Sequence, residues 1–372
     1  MKDEITVCTR CVMDSSASEI DFDENGVCNF CKEYDIKAQE EVFHGDNGEK
    51  KFEKLMSKIR NTGKKYDVLI GLSGGVDSSY VAYLLQRYNL RILAVHVDNG
   101  WNTELSVANV EEIVKRTNID LVTHVLDWNE FKDIQKSFIK SSLSNIEIPT
   151  DHAIWATLVK TANQFGIKYI ISGSNVVTEA IMPSSWLYGS KDSKLILSIQ
   201  KKFGSKKIKN YPFLTTWDYI KYLLIKRIKW IPILNYIPFN KELAKEILIK
   251  ELGWRDYGGK HYENIFTRFF HAYYLPEKFG YDLRKAYLSA SICSGQITRD
   301  QALLELKAKP ASDKILNEDA AYVRKKLGIS ESEFEYYLKQ ANKTHLDYGN
   351  NEYLWTKLAS FIKAARNKIT RI

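Results

Sequence analysis

Across the first half of the chain, short apolar runs alternate with stretches in which apolar residues recur every three or four positions. The apolar runs predict strands, and the periodic stretches predict helices with one buried face. The predicted strands are 66–72, 91–97, 119–125 and 168–172, and the predicted helices are 77–88, 104–116, 128–141 and 152–165. Strands that alternate with helices are typical of βαβ units in a parallel sheet. Ligands of such sheets bind at the carboxyl ends of the strands.

The pattern changes beyond residue 185. Residues 191–230 are rich in Lys and aromatic side chains, and the rest of the chain returns to helical spacing. Helices are predicted at 241–252, 283–290, 299–307, 318–326, 331–340 and 351–368. The second half is therefore expected to be mostly helical. Nearer the N-terminus, the polar residues 39–51 predict a linker, and 52–59 predict a helix.

Composition indicates a folded, water-soluble chain. Of the 372 residues, 44% are hydrophobic and 27% are charged, which excludes disorder as the main state. No uncharged apolar run approaches the roughly 20 residues that a membrane span needs. The N-terminal MKDEITVCTR has no apolar core, so we expect no secretion signal and a cytoplasmic protein. The net charge of +8 favours anionic partners such as nucleic acid, phosphates or an acidic membrane surface.

Four of the five cysteines form two C-x-x-C pairs near the N-terminus, namely Cys8, Cys11, Cys28 and Cys31. This spacing is typical of a structural zinc site, in which four thiolates complete a tetrahedron and leave no position for water. An iron–sulfur cluster uses the same ligands and stays an alternative. Two disulfides are not expected in a reducing compartment. Cys293 stands alone and is interpreted as a small buried hydrophobe.

A serine- and glycine-rich loop, SGGVDSS at 73–79, lies directly between a predicted strand and a predicted helix. Two glycines allow a tight turn in which successive amide groups line an anion, and the helix N-terminus adds partial positive charge. Asp77 can cap the helix or help to hold Mg²⁺. The chain contains no G-x-x-x-x-G-K-[ST] motif, so the loop is not a Walker A loop. The residues expected to bind phosphate are Ser73, Gly74, Gly75, Val76, Asp77, Ser78 and Ser79.

Residues 73–79 resemble the PP-loop of the ATP pyrophosphatases, which cleave ATP to AMP and pyrophosphate. LAVHVD at 93–98 resembles the second strand of that fold, whose end receives adenine, and ISGSN at 171–175 resembles its later glycine motif. The resemblance implies an α/β fold with a PP-loop (adenine nucleotide alpha hydrolase-like) parallel sheet. It also implies ATP and Mg²⁺ as cofactors and adenylation as the chemistry, with Ser73 and Asp77 at the reacting phosphates. The further nucleotide contacts that it implies are Val97, Asp98, Gly173 and Ser174.

A second resemblance covers nearly the whole chain. Six segments occur in the order found in the N-acetyl sugar amidotransferases: CTRCVMD, GVCNFC, GLSGGVDSS, RDYGGKHYENIFTRFF (255–270), LPEKFGYDLRKAYLS (275–289) and SGQITRDQAL (294–303). Those enzymes convert the acetamido group of an activated sugar into an acetamidino group, in lipopolysaccharide O-antigen and related surface-glycan pathways. The resemblance implies that ATP adenylates the acetamido carbonyl of a nucleotide-activated or nonulosonic sugar, and that ammonia then displaces AMP.

The resemblances divide the chain into three predicted parts. Residues 1–45 form a zinc-binding knuckle and linker, 46–190 a PP-loop ATP pyrophosphatase domain, and 191–372 a mostly helical domain for substrate or partner. His261 and Glu263 are candidate catalytic residues, although a structural His and an ordinary Glu–Arg helix pair are the alternative. Glu179 is a candidate ligand for Mg²⁺ or substrate, and a solvated loop acid is its alternative. His261, Tyr262 and Arg268 are candidate substrate contacts.

Ammonia needs a source that this sequence does not supply. The chain neither begins with Cys nor carries a G-x-C-x-G elbow, so no glutaminase is expected in it. The resemblance implies a separate partner similar to the histidine-pathway glutaminase, with a cyclase-like companion. The rival interpretation is tRNA thiolation. Enzymes of that kind usually need catalytic cysteines near the PP-loop domain, and no cysteine occurs between residues 32 and 292.

The basic segment 201–230 leaves three interpretations open. A solvated face over an apolar helix side (Ile220, Leu223, Leu224, Ile228) is preferred, and a dock for a nucleotide-sugar diphosphate or a partner protein is another. Nucleic-acid binding is the third, and it is not expected here.

Overall fold

The computed structural model describes residues 5–43, 45–60, 65–259, 262–358 and 360. The strands are β1 (Val68–Gly71), β2 (Ile92–Asp98), β3 (Asp120–Val125), β4 (Tyr169–Ser172) and β5 (Lys229–Pro232). They form one sheet in the order β3-β2-β1-β4-β5, and every neighbouring pair is parallel. The chain runs to β2 on one side of β1 and to β4 on the other. The crevice at the carboxyl ends of β1 and β4 is therefore the switch point at which such sheets bind ligands.

The α-helices cover both faces of the sheet and most of the second half of the chain. In the first half they are α1 (Asn29–Glu41), α2 (Gly45–Ile59), α3 (Val76–Gln86), α4 (Glu104–Thr117), α5 (Trp128–Lys140), α6 (Ile148–Gln164) and α7 (Val176–Glu179). The later ones are α8 (Ser193–Phe203), α9 (Thr216–Ile220), α10 (Lys241–Leu252), α11 (Ile265–Phe269), α12 (Leu275–Phe279), α13 (Arg284–Cys293), α14 (Arg299–Lys307), α15 (Asp313–Leu327) and α16 (Glu331–Lys339). Short π-helical turns occupy Lys221–Ile225 and Phe270–Tyr274, and 3₁₀ turns occupy Ile233–Tyr236 and His345–Asp347. None of the described helices has the length and apolar character needed to cross a bilayer.

The predicted α/β architecture is confirmed, with a parallel sheet, a cysteine-rich N-terminal module and a mostly helical second half. Polar caps explain where several helices begin. The side chain of Thr103 accepts a hydrogen bond from the Ser106 amide at the start of α4, and Thr298 and Ser330 form capping boxes at α14 and α16. Each cap satisfies an amide that has no partner within the helix, which is worth about 1 kcal/mol.

Residues 39–51 do not form the predicted linker. Helix α1 continues to Glu41, and α2 begins at Gly45. Between them, the amide of Phe43 donates to the carbonyl of Asn235 at 2.8 Å, and the apolar face of α2 is buried in the core beneath the sheet. Tertiary packing therefore orders a stretch whose polar composition predicts a linker.

Strand β5 lies in the basic, aromatic segment for which the sequence predicts no strand. It pairs with β4, and Ile231 is its buried residue. A strand at the edge of a sheet with one buried side chain leaves no periodic signal. The apolar helix side expected in the same segment is only partly buried, because Ile228 is buried whereas Leu224 is exposed.

Three large apolar clusters hold the elements together. One face of the sheet packs against α2, α3, α4 and α10, and the other packs mainly against α6. The third cluster joins the cysteine-rich module to α5, α8, α11, α13 and α15. This third cluster includes residues from all three predicted parts of the chain, whose boundaries at 45 and 190 stay predictions.

Candidate active site and metal centre

The loop between β1 and α3 is a tight, internally bonded turn. Gly74 has a φ of +81°, and a Cβ added there would lie 2.4 Å from the carbonyl oxygen of Ser106 on α4. Ser73 Oγ lies 3.0 Å from Ser78 Oγ and accepts a hydrogen bond from the Gly75 amide at 3.2 Å. Both hydroxyls therefore converge on the start of α3, where the amide groups of a helix N-terminus attract anions.

Two aromatic residues from beyond the sheet hold this loop in place. The indole Nε1 of Trp254 donates to the carbonyl of Gly74 at 2.8 Å, and the amide of Val76 donates to the hydroxyl of Tyr257 at 3.2 Å. Burial, with the nearby Glu263 carboxylate, raises the pKa of Tyr257, so its hydroxyl stays protonated. Neither role could be predicted from sequence, because Trp254 and Tyr257 lie about 180 residues from the loop and reach it only through folding.

Replacing Trp254 by phenylalanine is expected to raise the KM for ATP about threefold to tenfold, because the buried Gly74 carbonyl loses a hydrogen bond whose net contribution is about 0.5–1.5 kcal/mol. The measurement is the ATP dependence of AMP formation. Trp186 is equally buried and lies away from the loop, so Trp186→Phe is the matched control. The role assigned to Trp254 would be wrong if both variants bound ATP like the wild type.

A cavity of about 480 Å³ opens at the carboxyl ends of β1, β2 and β4. Its size lies in the range of small-molecule sites. Eight of the residues predicted from sequence line it: Ser73, Asp77, Ser78, Val97, Gly173, Ser174, Glu179 and Glu263. Gly173 allows a close approach here, since a Cβ would lie 2.8 Å from the backbone of Asp77. Loop, second strand and later glycine motif therefore meet at one cavity, as the PP-loop resemblance predicts.

Two residues predicted to contact the nucleotide, Asp98 and Ser79, do not line the first cavity. The carboxylate of Asp98 accepts a hydrogen bond from the Gly100 amide at 2.8 Å and does not line the cavity. Ser79 is buried and donates to the carbonyl of Gly75 at 2.6 Å, which stabilises the loop from beneath. Their roles toward ATP stay predictions.

A second cavity of about 480 Å³ meets the first at the loop. The two share Ser73, Asp77, Ser78, Glu179, Glu263 and Tyr287, and Gly75 and Val76 line the second one. Away from the loop its lining carries the bases Lys241, Lys245 and Arg284 and the acids Glu242, Asp256 and Glu305. Lys245 pairs with Glu242 and Asp256, and Arg284 pairs with Asp282. The first cavity is therefore lined by acids without Lys or Arg among its described residues, whereas the second is lined by side chains of both charges.

The family-like block at 255–270 reaches this site through one of its predicted residues. Glu263 lines both large cavities, and its backbone carbonyl accepts a hydrogen bond from the Thr103 amide at 3.0 Å. Tyr262 and Arg268 line a smaller cavity of about 240 Å³, in which Arg268 is paired with Asp319 at 2.6 Å. His261 lies outside the described residues.

Most of the residues that line the first cavity were not predicted, and three of them stand out for their side chains. Glu147 and Asp151 stand at the start of α6, and Trp230 comes from β5. The acids lie one turn apart on a helix of otherwise apolar character, which is the signal that could have drawn attention to them. For Trp230 the sequence carries no such signal, because its strand was not predicted.

The four N-terminal cysteines form a compact thiolate set. All are fully buried, and their sulfur atoms lie within 4.8 Å of one another. Neighbouring Sγ atoms are 3.7 to 3.9 Å apart for Cys8–Cys31, Cys11–Cys28 and Cys28–Cys31. Tetrahedral coordination with Zn–S bonds of about 2.3 Å places sulfur atoms about 3.8 Å apart. The site therefore fits a single ion such as Zn²⁺, whereas a cluster of several irons would hold its thiolates farther apart.

The cysteine module contacts the helices of the second half of the chain through hydrogen bonds and a sulfur–sulfur contact. The guanidinium of Arg299 donates to the carbonyls of Cys8 and Cys11, both at 3.0 Å. Cys293 at the end of α13 lies with its sulfur 3.7 Å from that of Cys31. Cys293 is partly buried against the same apolar cluster, as expected of a small hydrophobe, but it does not stand alone because it borders the four-thiolate set.

Two protein-family models match separate parts of the chain. Residues 263–362 match the model described as LPS biosynthesis protein WbpG-like, C-terminal domain, and residues 67–178 match that of queuosine biosynthesis protein QueC. The first match begins at Glu263, and the second contains the loop at 73–79. The two matched regions are the ones that meet at the two large cavities.

Similar proteins include several that act on nucleotides or tRNA. The chain is 26% identical to the tRNA-specific 2-thiouridylase MnmA of Nitratiruptor sp. over 208 residues, which cover 53% of this chain and 59% of that protein. It is 40% identical to the tRNA(Ile)-lysidine synthase of Chlamydia felis over 63 residues, 17% of this chain and 20% of that protein. Among solved structures, NMN synthetase from Francisella tularensis aligns with 84% of this chain and 98% of its own, at 17% identity and a TM-score of 0.34. The chain thus spans about three fifths of the first relative and one fifth of the second.

Proposed function

We propose that this chain, which belongs to the WbpG-like PP-loop family, is an ATP-dependent amidotransferase. In this proposal the enzyme adenylates the acetamido carbonyl of a nucleotide-activated or nonulosonic N-acetyl sugar. Nitrogen derived from ammonia then replaces the oxygen. The products are an acetamidino sugar, AMP and pyrophosphate.

One observation carries the proposal. Glu263, the first residue of the WbpG-like region, lines both cavities that meet at the PP-loop. The region that distinguishes this family therefore forms a wall of the compartment in which ATP would react. An amide carbonyl is a poor electrophile, and adenylation of its oxygen supplies the leaving group that nitrogen transfer requires.

The residues at the loop suit this chemistry. The loop amides and the hydroxyls of Ser73 and Ser78 would hold the pyrophosphate part of ATP. The Oδ1 atom of Asp77 is buried and has no hydrogen-bond partner among the described residues, which suits a ligand of Mg²⁺ together with Glu179. Bound Mg²⁺ would neutralise charge on the phosphates. The basic groups of the second cavity would hold the diphosphate of a nucleotide sugar.

Ammonia would come from a separate protein. The proposed partner is a glutaminase similar to that of the histidine pathway, with a cyclase-like companion. Supporting this, no cysteine is among the described residues that line the two large cavities, so the site offers no thiol nucleophile for glutamine hydrolysis.

The test is AMP formation with ATP, ammonium and a panel of nucleotide-linked and nonulosonic N-acetyl sugars. We expect AMP and pyrophosphate in equal amounts with at least one sugar, and a product that differs from it by replacement of O with NH in the mass spectrum. Reactions that lack sugar or ammonium are the controls. AMP formation that requires tRNA and a sulfur donor, and no sugar, would exclude the proposal.

A tRNA-thiolating enzyme is the second candidate. The match to a 2-thiouridylase over 53% of the chain favours it. Sulfur transfer of that kind would need a cysteine near the adenylated base, and the described residues around the loop include none. The same AMP assay with tRNA and a sulfur donor decides between the two candidates.

A further inference from the structure

The cavity above the PP-loop is strongly acidic. Its described lining residues include no Lys or Arg, and they include Asp77, Glu147, Asp151, Glu179 and Glu263. The protein as a whole carries a net charge of +8, so this negative charge is a local property. Carboxylates gathered in a partly enclosed space are stabilised by a cation.

The carboxylate of Glu147 indicates where a ligand would bind in this cavity. It is 7% exposed, and its Oε2 accepts a hydrogen bond from the hydroxyl of Thr267 at 3.0 Å. Its Oε1 is buried and has no hydrogen-bond partner among the described residues. A buried polar atom without a partner destabilises the folded state, so this oxygen indicates a bound group that donates a hydrogen bond.

Asp151 provides a second acceptor one helical turn along α6. It faces the cavity and keeps accessible surface there, although protein surrounds it. Burial and the neighbouring Asp151 carboxylate raise the pKa of Glu147, and the protein around Asp151 raises the pKa of that carboxyl as well, although its side chain is exposed to the cavity. Glu263 raises the pKa of Glu147 further, whereas the hydroxyls of Thr267 and of the neighbouring Thr150 lower it. A raised pKa makes a carboxylate a stronger proton acceptor than it is in water, as suits a general base.

The geometry favours a small nitrogen cation over a metal ion. A metal ion is usually held by several His, Cys, Asp or Glu side chains. Within the described residues, the four cysteines are the one group in which the ligand atoms of three or more such side chains lie within 4.8 Å of one another. Glu147 and Asp151 therefore belong to no such three-ligand group, and they are distinct from the Asp77 and Glu179 pair proposed for Mg²⁺. Ammonium instead offers N–H donors in four directions, which suits acceptors spaced along a helix.

We propose that Glu147 and Asp151 form an ammonium site, in which they bind the nitrogen donor and accept its protons beside the activated carbonyl. This inference rests on the proposed function, because ammonium is a reactant only where nitrogen is transferred.

The proton balance requires two acceptors. Ammonium carries four protons, and the new nitrogen of an amidinium product carries two. One carboxylate takes the first proton, which frees the lone pair that forms the C–N bond to the adenylated carbon. The other takes a proton from the resulting adduct as the C–O bond breaks, and AMP leaves with that electron pair. The sugar nitrogen supplies the electrons of the new C=N bond, so the product leaves as an amidinium.

The test compares wild type with Glu147→Gln, which preserves size and removes the base. With ammonium as nitrogen source, kcat/KM for ammonium should fall about 100-fold, the range of general-base effects. Sugar-dependent exchange of pyrophosphate into ATP reports adenylation alone, and it should fall far less. Glu130→Gln is the matched control, because Glu130 is a buried carboxylate outside the two large cavities.

The outcomes separate the two proposals. If the wild type shows no sugar-dependent exchange with any sugar of the panel, the proposed function fails. If the wild type exchanges pyrophosphate into ATP and Glu147→Gln has the same kcat/KM for ammonium as the wild type, the ammonium site is wrong. Equal losses of exchange and of ammonium use would also overturn it, because they would place Glu147 in the nucleotide site.

A second readout does not depend on activity. Ammonium chloride should raise the unfolding temperature of the wild type more than sodium chloride at the same concentration, because a ligand that binds the folded state stabilises it. Glu147→Gln should show no difference between the two salts. The same salt difference in both proteins would contradict the site.

Discussion

Replacing Gly74 by alanine is expected to lower AMP formation at least 100-fold. The residue has a φ of +81°, and the added Cβ would lie 2.4 Å from the backbone oxygen of Ser106. That oxygen belongs to the first turn of α4 and cannot move aside as a flexible side chain would. The loop must therefore shift, and a displacement of about 1 Å in a phosphate-positioning group costs on the order of 100-fold in rate. The measurement is ATP-dependent AMP formation under saturating substrates.

Gly166 supplies the control for this substitution. It also has a positive φ, at +69°, but a Cβ there would meet no atom within 4 Å. Gly166→Ala therefore introduces backbone strain of about 1–2 kcal/mol without the clash and away from the loop. It should lower the unfolding temperature and leave AMP formation intact. Equal catalytic losses in the two variants would mean that the shape of the loop does not set the rate.

Loss of the metal centre is expected to have the largest effect on stability. Replacing Cys28 by alanine removes one of four buried sulfur atoms, and the purified variant should contain no stoichiometric zinc. Metal binding of this kind is coupled to folding, with apparent free energies of about 10–16 kcal/mol in small zinc modules. Even half of this free energy corresponds to a fall in unfolding temperature of at least about 10 °C, at roughly 2–4 °C per kcal/mol. Elemental analysis and thermal unfolding are the measurements.

The effect should extend to the active site. Arg299 and Ser289 bond the backbone of the cysteine module, and Ser289 lies on α13, which also carries Tyr287 to both large cavities. We therefore expect Cys28→Ala to lose AMP formation together with the metal.

Cys293→Ser is the control for the ligand set. Its sulfur is near Cys31, yet four other thiolates already complete a tetrahedron. This variant should keep one equivalent of metal. If it loses the metal as Cys28→Ala does, the ligand set includes Cys293.

The fold of the first half follows from the order of apolar residues. Each of the strands β1 to β4 and the helices α3 to α6 lies within a few residues of its predicted bounds. In a parallel sheet covered by helices, burial repeats along the chain, so the sequence records it directly. Strand β5 and the ordered residues 45–51 were not predictable in this way, because neighbours distant in sequence determine their burial.

Some residues of the candidate site could likewise be identified from sequence, whereas others could be identified only from the structure. The loop at 73–79 was identified from sequence because its residue types are unusual between a strand and a helix, whereas the motif at 171–175 and Glu263 were identified through resemblance to known families. Their roles toward ATP and sugar stay predictions, as does that of His261. Trp254, with its hydrogen bond to the loop, was not identified, because a buried tryptophan is ordinary until its neighbours are known.

The sequence by itself determined the alternating sheet, the phosphate-binding loop and the four-thiolate set, because each depends on spacing within a short stretch of chain. Only the tertiary structure decided that Glu147, Asp151 and Glu263 share a cavity with that loop, and that Cys293 borders the metal centre. The pKa of a carboxylate and the partner of a thiol depend on what surrounds them in space. Folding brings together groups more than 100 residues apart, and no local pattern encodes that proximity.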